Sequence, residues 1–291
     1  MSAARPGPAE IALGGGPLGA DSLSEQDAAG LLAFALERGV TLVDTAPSYG
    51  ASEERIGRFA EARPELRVST KVGYAVPGVE DWTSRCIREG VEQARRRLRR
   101  DVLDVVHLHS CPLEVLVGRG VVEALVDARV RGRVAKIAYS GQGEALEWAV
   151  DSGVFDVVQT SVSPVDRRAL SAVLPRAKER GVEVLAKRAL ASGALAEPHP
   201  EDGPDRAEYR RRWQALGLSE ELGQERASVC DALIRFAAWQ PEVDVVLVGT
   251  KSPGHLGAAC DAAAAGPLDP ELLSRLAATY AEVGAEWPGV I

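Results

Sequence analysis

No apolar run in this 291-residue chain approaches the ~20 residues that a membrane-spanning helix requires. The opening segment, MSAARPGPAE, is polar and Pro-containing and lacks the apolar core of a secretory signal. Positive charge is not in excess: the formal net charge is −8, which leaves no basic footprint for bulk nucleic-acid binding. Cysteine is sparse. Cys86, Cys111, Cys230 and Cys260 are scattered and form no CxxC, so they read as reduced thiols of a cytoplasmic protein, not as disulfides or a zinc site. No GxGxxG follows the first strand. Gly14-Gly15-Gly16 has the wrong spacing and runs into Pro17, which argues against an open doubly wound sheet. No 20–50-residue repeat is evident beyond the alternation of elements itself.

That alternation is the main signal. With 46% hydrophobic and 26% charged residues, the chain can bury the core of one large domain. Short β-branched runs read as strands at 10–13, 41–43, 66–70, 102–108, 134–139, 155–159, 182–186 and 243–248. Helical patterns follow at 24–38, 53–60, 83–98, 121–131, 143–150, 168–179, 226–239, 255–265 and 270–283, with a long polar stretch at 197–224. Eight strand-helix units without a break predict a parallel sheet closed into a single (β/α)8 barrel spanning residues 1–291.

In such a barrel the active site lies at the C-terminal ends of the strands. Asp44, Lys71 and His109 fall there, on strands two, three and four, and Tyr49 sits in the loop after strand two. Ser52 is expected to cap the helix that follows. A free phenol, with a pKa of about 10, is a poor acid at neutral pH. Lys71 supplies a nearby cation that would lower that pKa, Asp44 would hold Lys71 charged and aimed, and His109 would donate to a substrate oxygen. The set suits a carbonyl oxygen that gains negative charge and then a proton. Taken singly, each residue has a plainer reading. Asp44 could be a loop acid, Lys71 a solvated lysine at a strand end, and His109 a satisfied polar side chain.

Six motifs resemble the aldo-keto reductase superfamily over essentially the whole chain: DTAPSYGASEERIG (44–57), STKVG (69–73), DVVHLH (104–109), GRVAKIAYS (132–140), VVQTS (157–161) and VLVGTKSPGHL (246–256). The resemblance implies a (β/α)8 barrel and NAD(P)H-dependent interconversion of a small-molecule aldehyde or ketone with its alcohol. It also implies roles: Tyr49 as general acid, Lys71 and Asp44 tuning it, and His109 orienting the carbonyl. By the same resemblance Gly16, Ser140, Gln159, Lys187, Arg188, Gly249, Thr250 and Lys251 face the cofactor, with Lys251 charged for an adenosine 2′-phosphate. Several positions depart from the family's habit. Gly141 stands where Asn is frequent, Lys187 where an aromatic residue usually stacks on the nicotinamide, and Gly257, Ala258 and Ala259 where Arg, Glu and Asn hold adenine. NADP(H) is therefore expected, with NAD(H) possible. The hairpin that often closes the barrel bottom is expected to be shortened or absent.

Other features carry open alternatives. Tyr74, Trp82 and Cys111 follow strands three and four and either line a substrate pocket or pack within loops. Cys111 is also a candidate oxidisable thiol. His107 and His109 form an HxH pair that could suggest a metal hydrolase, but His199 and His255 join no obvious ligand set, which favours His107 as a hydrogen-bonded barrel residue. The basic run 95–100 reads as a solvated helix face. Arg210, Arg211 and Arg212 either fold over a cofactor pyrophosphate or belong to a mobile charged loop. The brief tail, 287–291, and the short segment after strand four suggest an open pocket. A nicotinamide-binding regulatory protein with little turnover is the second reading of the whole.

Overall fold

The computed structural model describes residues 7–196, 203–223 and 225–290. Eight parallel strands close into a barrel in sequence order, with the last paired to the first. The order is β1 (Glu10–Gly14), α1 (Glu25–Glu37), β2 (Leu42–Asp44), α2 (Ser52–Ala60), β3 (Arg67–Val72), α3 (Ser84–Leu98) and β4 (Leu103–His109). Then come α4 (Leu113–Gly118), α5 (Val121–Val130), β5 (Val134–Ser140), α6 (Gly143–Asp151), β6 (Val157–Ser161), α7 (Arg168–Ala172), α8 (Leu174–Glu179) and β7 (Glu183–Lys187). The chain closes with α9 (Pro204–Ala215), α10 (Leu218–Leu222), α11 (Arg226–Ala238), β8 (Val245–Gly249), α12 (Pro253–Ala264) and α13 (Pro270–Val283).

Side chains alternate inward and outward along each strand, so residues two apart share a face. Ala12, Leu42, Val105, Ala138, Val157, Leu185, Val245 and Leu247 form the apolar filling of the barrel. Below them, ion pairs link Arg67 to Glu10 and Lys136 to Glu183, each at 2.6 Å. One step above, the same inward rows present Asp44, Lys71, His109, Gln159 and Lys187. The alternate residues, among them Leu13, Val43, Val68, Val106, Ile137, Val158, Val184 and Val246, are buried against the helices. The helices meet them with one face each: α1 buries Ala28, Leu31, Leu32 and Ala35, and its Ser24 cap accepts from the Asp27 amide at 3.0 Å.

The structure departs from the sequence reading in several places. The helix expected over 168–179 breaks at Val173, because Pro175 favours a fresh helix start in α8. The polar stretch at 197–224 contains α9 and α10, and α4 fills the connection after β4. No strand precedes β1 among the described residues; the N-terminal hairpin question extends into residues 1–6, which lie outside them. Ser52 is not a cap. Ala51 holds that position, while the buried Ser52 hydroxyl donates to the Gly15 carbonyl and accepts from Thr45 Oγ1, both at 2.8 Å. The basic run 95–100 is more than a solvated face. Arg97 pairs with Glu53, and Arg100 donates to the Arg63 and Leu66 carbonyls, which fastens α3 to the α2 segment. No described helix is long and apolar enough to cross a membrane.

Candidate active site

The upper, polar layer of the barrel is one connected network. Asp44 ends β2 with its carboxylate buried. Oδ2 accepts from Lys71 Nζ at 2.6 Å, and Oδ1 accepts from Ser69 Oγ and Gln159 Nε2, each at 2.9 Å. Burial pushes the Asp44 carboxyl up, but the Lys71 ammonium together with His107 and the Ser69 hydroxyl leaves the group below its ordinary value. Lys71, only 1% exposed, shows the mirror case: burial alone would lower its pKa, and Asp44 raises it. A second ammonium proton goes to the Thr45 carbonyl at 2.8 Å. The ammonium also lies 5.1 Å from the centroid of the Tyr49 ring.

Tyr49 is positioned by two loops pressed together. Its amide donates to the Ala46 carbonyl at 3.1 Å, and its own carbonyl accepts from the Ser52 amide. A Cβ on Gly19 would sit 1.6 Å from that carbonyl, so the loop after β1 approaches only because residue 19 has no side chain. Gly16 lies beside the Tyr49 ring. The ring meets His109 edge-on at 6.3 Å, so strand ends two, three and four bring Asp44, Tyr49, Lys71 and His109 together.

The two histidines differ in surroundings. His107 is fully buried, its Nε2 2.9 Å from Ser69 Oγ, and burial pushes its pKa down to about 3. His109, at the strand end, is pushed down to about 2, by burial first and then by Lys71 and Lys187. Both rings are therefore neutral at physiological pH. No three His, Cys, Asp or Glu side chains converge as a metal site among the described residues, and His199 lies outside them.

Across the mouth, Ser140 Oγ donates to Gln159 Oε1 at 2.9 Å, so Ser140 and Gln159 join the Asp44 network from β5 and β6. Lys187 ends β7, its Nζ 3.4 Å from Ser140 Oγ, and pairs with no carboxylate among the described residues. Burial, then Arg188 and Lys71, lower its pKa to about 7. Replacement by Met is expected to raise the melting temperature, and by more at about pH 6 than at about pH 9. Folded Lys187 titrates near 7 and the unfolded group near 10.5, so the burial penalty is complete below the lower value and fades as pH climbs towards the upper. Thermal melts of both proteins at the two pH values check this.

Arg188 is engaged elsewhere. It donates to the Val290 carbonyl and pairs with Asp205, which ties the rim to the tail. Gln142, which carried no motif signal, joins it by donating from Nε2 to the Val290 carbonyl at 2.7 Å and to Ser161 Oγ at 2.8 Å. The tail thus lies along the rim beside the ends of β5 and β7. Arg212 is buried and donates to Glu208 and the Pro288 carbonyl, and Arg211 pairs with Glu208. Arg210 reaches the Ala194 and Ala196 carbonyls. These three side chains build α9 into the rim.

Cys111 is 1% exposed in the core, its carbonyl accepting from the Tyr139 hydroxyl, and burial drives the thiol to about 12. It is neither a pocket wall nor a reactive thiol. Trp82 packs over Gly73, whose φ of +139° and missing Cβ admit the indole, and meets Tyr74 at 6.0 Å. On the far side, Gly249 and Lys251 are exposed, and the buried Thr250 accepts from the Ser252 amide at 3.0 Å. Lys251 Nζ lies 3.3 Å from Ser22 Oγ, near the Ser252-capped start of α12.

An eight-stranded parallel barrel with these residues at its mouth defines a (β/α)8 protein whose polar site lies at the C-terminal strand ends. The family model for the aldo/keto reductase family matches residues 10–281, and the chain belongs to that family. It is similar to L-galactose dehydrogenase of Arabidopsis thaliana, at 26% identity over 97% of this chain and 93% of that protein. It is likewise similar to D-threo-aldose 1-dehydrogenase of a Pseudomonas species, at 28% identity over 81% and 82%. A Klebsiella pneumoniae aldo/keto reductase solved with NADP and acetate superposes with a TM-score of 0.69, at 21% identity over 93% and 91%.

Proposed function

We propose that the protein interconverts an aldehyde or ketone and its alcohol by hydride transfer with a nicotinamide cofactor, and that Tyr49 is the general acid. The observation that carries this reading is the buried Asp44–Lys71 pair aimed at Tyr49. A cation beside a phenol stabilises the phenolate and makes the hydroxyl a better proton donor. Asp44 keeps Lys71 charged despite burial, so the field on Tyr49 is permanent. His109, neutral, donates to the substrate oxygen and orients it towards the Tyr49 hydroxyl. As negative charge builds on that oxygen, the Tyr49 proton moves to it, and Lys71 stabilises the phenolate left behind. The reverse reaction uses the same groups, with Tyr49 as base.

The residues fit a phosphorylated dinucleotide. Lys251 is an exposed ammonium near the start of the 12-residue α12, a suitable pairing for a phosphate, and Ser140 and Gln159 offer hydroxyl and amide groups for a carboxamide. The cofactor would supply the hydride. The Klebsiella pneumoniae structure, with NADP, supports NADP(H); bare Gly257, Ala258 and Ala259 keep NAD(H) in view. The two sugar dehydrogenases among its relatives point to hydroxylated aldehydes and lactols as a first substrate panel.

Fluorescence titration with NADPH and NADH is expected to show saturable binding, tighter for NADPH. Aldehydes from the panel should then oxidise the bound cofactor. Binding without turnover of any member would overturn the catalytic reading.

A further inference from the structure

His109 is neutral, and a neutral imidazole has one nitrogen that donates and one that accepts. Only the tautomer with its proton on the nitrogen facing substrate can donate to a carbonyl oxygen. Something must therefore choose between the two. The choice is made by the partner of the other nitrogen, and here that partner is Tyr74. Its hydroxyl lies 2.6 Å from His109 Nδ1, and the two rings stack with centroids 5.2 Å apart and planes 28° from parallel.

We propose that Tyr74 is a positioning residue that fixes His109 in the tautomer protonated on Nε2, by donating its hydroxyl proton to Nδ1. The inference rests on the reading of His109 as the group that donates to the substrate oxygen, and it gives Tyr74 a task other than lining a pocket. The proposed direction of the bond suits the surroundings. Ser48 Oγ lies 3.4 Å from the Tyr74 oxygen, on which it can donate, which leaves the phenolic proton for the imidazole. Burial also pushes the Tyr74 phenol up, so it keeps its proton. With Nδ1 accepting, the ring proton stays on Nε2, at the ring edge away from Tyr74 and open to the mouth that Tyr49 shares.

The loop after β3 is built to hold Tyr74 there. Gly73 takes a φ of +139° that few other residues adopt, and its carbonyl accepts from the Trp82 amide at 2.7 Å. Trp82 closes over Gly73 and meets the Tyr74 ring edge-on. Ala75, at φ +64°, donates its amide to Asp81 Oδ1 at 3.1 Å and pins the next turn. The tyrosine thus stands on a short, locally bonded loop, with Trp82 beside it and Ser48 above its oxygen.

Tyr74→Phe keeps the stacked ring and removes only the hydroxyl. Nitrogen-15 NMR of histidine-labelled protein is expected to show wild-type His109 with a pyridine-like Nδ1 and a protonated Nε2. In Y74F the proton should redistribute between the two nitrogens. Turnover should fall roughly tenfold, the cost of one well-placed hydrogen bond, while the dissociation constant for NADPH stays unchanged. Trp82→Leu, which loosens the loop but keeps the hydroxyl, serves as a second variant and should shift the tautomer less. A wild-type ring protonated on Nδ1, or an Nε2 proton that stays fully in place in Y74F, overturns the proposal. Failure of the wild type to turn over any carbonyl would sink the reading of the site instead, because the tautomer measurement needs no substrate.

Discussion

Replacing Tyr49 by Phe should lower turnover by about 10²- to 10⁴-fold, the range lost when a positioned proton donor is removed. The variant keeps the ring that lies against Lys71 and His109, so the fold and the cofactor dissociation constant should be nearly unchanged. Loss should appear equally in kcat and kcat/KM, because the missing interaction exists only as the proton moves. Measuring both, with NADPH affinity alongside, separates this outcome from a binding defect. A variant that retains wild-type kcat would show that another group protonates the product oxygen.

Lys71→Met has a second large effect, this time on stability as well as on rate. Removing one partner of a buried ion pair strands the other, at a cost of about 3–5 kcal/mol. Asp44 would keep Ser69 and Gln159 as donors but lose the ammonium paired with it. The pH dependence has a definite sign. Without Lys71, burial carries the folded Asp44 pKa above its unfolded value near 3.8. A raised folded value favours the folded state at low pH, so the deficit of the variant should narrow as pH falls through the raised value towards 3.8. Combining K71M with D44N should recover much of the stability and none of the activity. Denaturant unfolding at several pH values, with assays on the same samples, tests both halves. A single variant as stable as wild type would mean that the pair contributes little to the fold.

Much of this was legible in the chain because periodicity and chemistry agree. Several strands are short β-branched runs with a polar residue at or next to their C-terminal end, so the sequence alone places Asp44, Lys71 and His109 at one barrel end. The strand ends shifted by a residue or two, since an apolar run does not reveal where pairing stops. What escaped was long-range. Arg188 reads as a site cation, and its contacts with the Val290 carbonyl and Asp205 have no sequence signal. Gln142 has no local signal, because its partners lie 19 and 148 residues away. Helix α9 was hidden by its polarity. Its interior contacts come from Tyr209, Arg212 and Trp213, all three of which carry polar groups, bonded to Asp166, to Glu208 and the Pro288 carbonyl, and to Ser219. Tyr74 is legible as a residue beside the site, but its partner nitrogen is not, because nothing in a sequence orients an imidazole.

Asp44 receives donors from Ser69 and Lys71 on the adjoining strand and from Gln159 on the far side of the ring of strands. Chemistry and architecture therefore share a hub, and its spokes span the barrel's diameter. A change that let the staves slide by a fraction of an ångström would swing the ammonium's aim before it unfolded anything. Mutations remote from the mouth should accordingly register in kcat sooner than in melting temperature, and the barrel's hoop is as much a part of the reagent as the phenol it points at.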